Sequence, residues 1–191
     1  LKPRNKIQPY VFLYIGMIME MYEMSVPLFK KILSTTSILL KKTSSQIELK
    51  KMPPSLILNA SLAPDMFNFT RQIQMTTDFI KNGTGRLAGV DLMKMDDDEK
   101  SFDELHTRII KTISYLNRIN PEQINGSEEK EIKFSVRNVN FDFKGLEFLQ
   151  SFVIPNIYFH VTTAYAILRI NNFRIGKKDF LGSLGKSKIK Y

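Results

Sequence analysis

The feature that most constrains this chain is the spacing of its apolar residues, which recur every three or four positions over four long segments. Such a period places them on one face of an α-helix. The segments cover about residues 25–52, 64–82, 101–120 and 146–170. Because strands do not alternate with these helices, the sequence predicts an all-α fold in which four helices form a bundle.

Prolines and one capping pattern predict where these helices begin and end. The paired prolines at 53–54 end the first helix, since proline cannot continue it. Pro64 suits a first helical position and Asp65 suits the positive helix end, so the second helix is expected to start there. Ser101 and Glu104 match a capping box at the start of the third helix.

Between the third and fourth helices the apolar period changes from helical to alternating. Residues 131–143 alternate around Arg137 and Asn138, which predicts a small β-hairpin before the last long helix. A lone hairpin is marginally stable, so it must pack on the bundle. Within the fourth segment, Pro155 removes one backbone hydrogen bond. The helix is therefore expected either to kink at Pro155 or to restart there.

Composition narrows the compartment and the class of partner. The chain has 191 residues, enough for one domain, and no cysteine, which excludes disulfides and thiolate metal sites and is typical of a reducing compartment. A cytoplasmic location is therefore expected. The net charge of +9 lies in the ends: residues 1–51 carry +6, residues 172–191 carry +5, and the middle carries −2. No nucleic-acid partner is expected, because a phosphate-binding groove needs a basic face.

The two ends are expected to lie outside the folded unit. Residues 1–20 form an N-terminal extension, residues 21–182 the domain, and residues 183–191 a basic tail. The extension has a basic start and a short apolar run, like a secretory signal, but it lacks a small-residue cleavage site. The run is also much shorter than the ~20 residues that span a membrane. An extension without membrane association is favoured, with a signal or anchor as the alternative.

Two groups of motifs carry a resemblance to a known family. The first is LAPDMF at 62–67 with RQ at 71–72, DF at 78–79 and RLAG at 86–89; the second is PNIYFHVTTAY at 155–165 with ILR at 167–169 and GKKDFLG at 176–182. Together they resemble an uncharacterised family of bacterial and fungal proteins grouped with the DinB/YfiT-like helix bundles. The resemblance implies a DinB-like four-helix bundle that is often a homodimer. Many such proteins hold a divalent metal with three histidines, and some are thiol transferases or hydrolases.

The chain departs from this pattern in its histidines. It has two, His106 and His160, so a three-histidine metal site cannot be built. We therefore expect no cofactor. If a metal is bound, His160 with Asp65 or His106 would be the ligands.

The candidate site is centred on His160, which shares a helix face with Asn156 and Thr163. A histidine on such a face is either a hydrogen-bonded core residue, which we favour, or a pocket base. Asp65 is its expected partner by residue type, unless that carboxylate only stabilises its own helix start. The candidate polar cluster is Asp65, Gln72, Asn156, His160 and Tyr165.

Two functions remain open at this stage. The favoured one is a metal-free bundle whose polar cluster orders the core or lines a small-molecule pocket. The alternative is a divalent-metal-dependent transferase or hydrolase with an altered ligand set. Outside the cluster, Arg71 and Asp78 lie on a neighbouring stripe and are expected to form ion pairs with another helix.

Overall fold

Four long helical segments and one β-hairpin make up the part of the chain that the computed structural model describes, residues 20–183. The predicted extension and basic tail lie almost entirely outside these residues. The elements are α1 (Met21–Lys50), α2 (Ser55–Leu58), α3 (Phe69–Ala88), α4 (Phe102–Leu116), α5 (Pro121–Ile124), β1 (Glu131–Val136), β2 (Val139–Lys144), α6 (Gly145–Glu147), a π-helical segment (Phe148–Val153), α7 (Ile154–Ile170) and α8 (Lys177–Leu181). The predicted helix bundle with a hairpin before its last long helix is confirmed.

Helix α3 holds the centre of the bundle, where it packs on both α7 and α4, while α1 packs mainly on α4. The predicted apolar stripes form the core, because each helix turns its stripe towards the others. Fully buried members include Phe29, Leu33, Leu40, Ile73, Ile80, Leu105, Ile109, Ile157 and Ile167.

The first helix begins four residues earlier than the apolar stripe predicts, at Met21. The Asn125 side chain accepts a hydrogen bond from the Tyr22 backbone N–H at 3.0 Å. An amide at a helix start has no partner within the helix. This cap comes from a residue about a hundred positions away, so local sequence could not indicate it.

The predicted start of α3 at Pro64 and Asp65 is wrong. The helix begins at Phe69, and Asn68 is its N-cap, with its side-chain oxygen accepting from Arg71 N at 2.9 Å. Asparagine is among the best N-cap residues. The preceding residues form a turn in which the Phe69 amide donates to Ala60 O at 2.8 Å. This competing hydrogen bond holds residues 62–67 outside the helix.

Glycine allows α3 to approach the π-helical segment closely. The sequence predicts that this helical segment ends at about residue 82, but α3 continues through Gly83 to Ala88. A Cβ atom at Gly83 would lie 2.7 Å from Val153 Cγ1. The absence of a side chain at Gly83 therefore allows α3 to pack closely against Val153.

The hairpin and the π-helical segment form a single aromatic layer. Phe134 on β1 lies opposite Phe141 on β2, and their rings stack 5.0 Å apart. Phe134 also contacts Phe148 and Phe152, with ring centroids 5.7 and 5.6 Å away. The expected packing of the hairpin on the bundle is thus made by phenylalanine rings.

At Pro155 the helix does not restart, because Val153 and Ile154 keep right-handed helical dihedral angles and a π-helical turn runs directly into α7. The Ile154 N–H bonds to Leu149 O, five residues back, and α7 then begins with Pro155 in its first turn. Such a wide turn is how a helix absorbs an extra residue, and it occurs frequently at functional sites. The Asn156 side chain donates to Phe152 O at 2.7 Å.

The stretch Gly145–Ile170 is long and apolar enough, by length and composition, to cross a membrane, and 44% of its most apolar window is buried inside the protein. The same test is passed by core helices of globular proteins. Here α7 packs on α3, which explains its apolar character.

Candidate functional site

A buried hydrogen bond joins α3 to α7 at the centre of the predicted cluster. His160 Nδ1 lies 2.7 Å from Gln72 Oε1, and Gln72 Nε2 donates to Phe67 O at 3.0 Å. An amide oxygen only accepts, so His160 Nδ1 carries the proton. Two consecutive hydrogen bonds therefore link His160 through Gln72 to the backbone of the turn before α3.

The His160 ring lies among aromatic rings that favour its neutral form. It stacks on Phe79 at 5.5 Å and on Phe67 at 6.4 Å, and Phe159 meets it edge-on at 5.2 Å. Burial, and secondarily the charge of Arg71, lowers the pKa of His160 to about 4. At neutral pH the imidazole is therefore uncharged.

The other three residues of the predicted polar cluster do not take part in the hydrogen bond between Gln72 and His160. Asp65 is exposed in the turn and is not bonded to His160. Asn156 bonds back to the helix backbone, and the half-buried Tyr165 packs edge-on against Phe180 at 5.4 Å. Of the predicted cluster, the structure brings Gln72 and His160 together and leaves the rest at separate positions.

Sequence reasoning missed a buried arginine beside this site. Arg108 on α4 is 1% exposed and donates to Thr77 Oγ1 at 2.7 Å, Asp78 Oδ1 at 2.7 Å and Glu99 Oε1 at 2.9 Å. Burial by itself would lower the pKa of Arg108, but the Glu99 hydrogen bond and the neighbouring carboxylates outweigh it and raise that pKa. A signal was present, because Arg108 lies on the apolar stripe three residues after Leu105.

The ionic network around Arg108 is balanced in charge. Arg108 also pairs with Asp97 at 3.0 Å, and Lys81 pairs with Asp78 at 3.2 Å. Arg71 pairs with Asp97 as well. The expected ion pair with another helix is made by Asp78, which pairs with Arg108 on α4, whereas Arg71 pairs with a residue of the loop before α4. The cations Arg71, Lys81 and Arg108 thus face the carboxylates Asp78, Asp97 and Glu99.

An aromatic cavity of about 280 Å³ lies between α3, the hairpin and the π-helical segment. Ligand pockets for drug-sized molecules range from about 300 to 1,000 Å³, so this one suits a smaller ligand. Larger depressions of 560 and 440 Å³ flank the acidic loop but have mainly polar walls. The lining of the aromatic cavity is Arg71, Met75, Asp78, Phe79, Asn82, Gly83, Arg86, Phe134, Val136, Phe141, Phe148, Phe152 and Val153.

One cation in this lining has no carboxylate partner within residues 20–183. Arg86 stacks over the Phe134 ring at 4.3 Å and makes one long hydrogen bond, to Asn82 O at 3.4 Å. Burial lowers the pKa of Arg86. A guanidinium has five N–H donors, so most of those on Arg86 have no acceptor among the protein residues that the structure describes.

Comparison with known proteins places this geometry in a family. Residues 21–181 match a family described as Domain of unknown function (DUF1993). The chain belongs to this family. No curated protein matches the chain.

The fold is shared with a solved member of the wider group. A crystal structure of a DinB family member from Shewanella denitrificans is 36% identical to this chain and has a TM-score of 0.79. The match covers 87% of this chain and 94% of that one. The predicted resemblance to an uncharacterised DinB-like family is therefore confirmed.

The DinB resemblance implies a divalent metal, and the residues of this DUF1993 protein do not fit a three-histidine site. The two histidines lie on different helices, and His160 Nδ1 is bonded to Gln72. Within residues 20–183, no three His, Cys, Asp or Glu side chains are grouped so as to hold a metal ion. His106 on α4 is half-buried and is not grouped with His160.

Proposed function

We propose that this protein is a cytoplasmic, metal-independent helix bundle that binds a small molecule in the aromatic cavity beside α3. The observation that carries the proposal is a cavity walled by phenylalanines of α3, of both hairpin strands and of the π-helical segment, with a few polar side chains along one wall. Binding sites for small molecules combine an apolar lining with a few polar groups that orient the ligand.

The Gln72–His160 pair is assigned a supporting role. His160 stacks on Phe79, whose ring lines the cavity. By holding α7 against α3, the pair fixes the position of that cavity wall. A hydrogen bond between two buried polar side chains favours the packing arrangement in which it can form.

The π-helical segment supports the same site. Phe148 and Phe152 are one helical turn apart and stack at 5.7 Å, so both rings face the hairpin side of the cavity. Without the wide turn before Pro155, the segment would lack the register that places these rings beside α3.

The binding proposal is tested with the full chain and a two-ring aromatic probe, 2-naphthoate, by isothermal titration calorimetry. We expect saturable binding with one site per chain. Met75→Trp fills the cavity from α3 and should abolish binding. Met93→Trp, which places the same side chain outside the cavity, is the matched control and should bind normally. Absence of binding to the wild-type protein, or binding unaffected by Met75→Trp, would exclude this cavity as the site.

The metal-independence proposal is tested by elemental analysis of full-length protein purified without a histidine tag. We expect well under one equivalent of Zn²⁺, Ni²⁺ or Mn²⁺ per chain. About one equivalent, lost in His160→Ala, would overturn the proposal and favour a metal-dependent transferase or hydrolase.

A further inference from the structure

We infer that the ligand of the aromatic cavity is an aromatic or apolar molecule with one anionic group, which Arg86 and Asn82 bind. This inference rests on the proposed small-molecule function and specifies its ligand class. Its evidence is the donor geometry along one face of α3.

Arg86 and Asn82 are one helical turn apart, so both side chains lie on the face of α3 that lines the cavity. The Asn82 amide oxygen accepts from Lys81 Nζ at 3.1 Å, which turns the amide nitrogen the other way. That nitrogen has no acceptor within the described residues. The wall therefore carries two sets of free N–H donors, and donors are what an anion requires.

The charges around the cavity favour an anion over a cation. Asp78 is the carboxylate in the lining, and it is paired with both Arg108 and Lys81. The ionic network beside the cavity is balanced, so Arg86 is left as the uncompensated charge. Lys130 adds a further positive charge nearby, because its Nζ binds the backbone oxygens of Arg86 and Leu87 at 3.0 Å each.

The position of Arg86 also explains why the anion would bind with its apolar part inward. The guanidinium carbon lies 4.3 Å from the centre of the Phe134 ring, so the cation is held against the aromatic wall by its face contact and its N–H groups are not used by that contact. The walls next to it are phenylalanine rings of the hairpin and the π-helical segment. A planar carboxylate can accept two parallel hydrogen bonds from such a fork, while its rings stack on the phenylalanines.

The experiment compares two probes of nearly equal shape, 2-naphthoate and the neutral 2-naphthalenemethanol, binding to the full-length protein by isothermal titration calorimetry. We expect naphthoate to bind roughly tenfold or more tightly than the alcohol, since hydrogen bonds to charged groups are the stronger ones. Arg86→Gln should remove this preference, because it weakens the binding of naphthoate much more than that of the alcohol. Arg118→Gln, at an exposed arginine, is the matched control and should change neither.

The anionic ligand class and the small-molecule function can fail separately in this experiment. Equal affinity for the two probes in the wild-type protein overturns the anionic ligand class while leaving a small-molecule cavity, and this comparison needs no variant to fold. A naphthoate preference that survives in folded Arg86→Gln overturns the assignment to Arg86. Absence of binding by both probes overturns the small-molecule function and the inference with it.

Discussion

His160 Nδ1 and Gln72 Oε1 lie 2.7 Å apart across the contact between α3 and α7, and this hydrogen bond is buried. Gln72 is 1% exposed and His160 is 6% exposed, so water cannot replace either partner at little cost. The pair therefore ties the two helices together at one register.

Replacing His160 by alanine is expected to lower the free energy of unfolding by about 3 kcal/mol, through the lost partner of Gln72 and the space left between aromatic rings. His160→Asn should lose about 1 kcal/mol less, because the asparagine side-chain N–H can take the place of Nδ1–H. Urea unfolding of the three proteins measures both losses. Equal losses for alanine and asparagine would show that the hydrogen bond contributes nothing, and unchanged stability in both would refute a packing role.

Acid is expected to destabilise the protein through His160. The pKa of His160 is about 4 in the folded protein, against about 6.5 when unfolded, so the unfolded chain binds more protons between these values. Stability from this group is complete above about pH 6.5 and declines as the pH falls towards 4, by about 1.4 kcal/mol per pH unit. The check is urea unfolding from pH 7.5 to 4.5, compared with His160→Asn. Carboxylates titrate in both proteins, so an identical pH dependence in the variant would contradict the assignment to His160.

Arg108→Met is expected to destabilise the protein by about 3–5 kcal/mol, because the carboxylates of Asp78, Asp97 and Glu99 would lose their shared buried cation. The matched substitution Arg118→Met removes an exposed arginine and should change stability by about 0.5 kcal/mol or less. Chemical unfolding measures the two. Similar small effects would mean that the network around Arg108 is solvated in solution.

Gly145→Ala is expected to disturb the junction between the hairpin and the π-helical segment. A Cβ atom at Gly145 would lie 1.9 Å from the backbone oxygen of Ser127, and backbone cannot rotate away as a side chain can. We expect a loss of about 1–3 kcal/mol and faster hydrogen exchange in β1 and β2. At Gly176 an added Cβ meets nothing within 4 Å, so Gly176→Ala is the control. A stable Gly145→Ala variant with unchanged exchange would contradict this packing.

Local patterns determined the elements of this fold. Apolar residues at helical spacing predicted the bundle, and alternation around Arg137 and Asn138 predicted the hairpin. These signals are readable because each element must turn one face towards a core. The predicted start of α3 at Pro64 failed where two local signals competed, and the Asn68 cap, helped by a backbone bond to Ala60, prevailed.

Contacts between distant residues were decided by the tertiary structure. By sequence, His160 was paired with Asp65 on residue type, whereas packing of α3 on α7 brings Gln72 to it, 88 positions away. Arg108 lies on the stripe of α4 that the sequence pattern predicts to be apolar. Its charge is accommodated there because the loop before α4 places Asp97 and Glu99 beside it. The sequence by itself determined which side chains face the core. The tertiary structure decided which of them meet, because hydrogen bonds and ion pairs between helices depend on how the helices pack against one another.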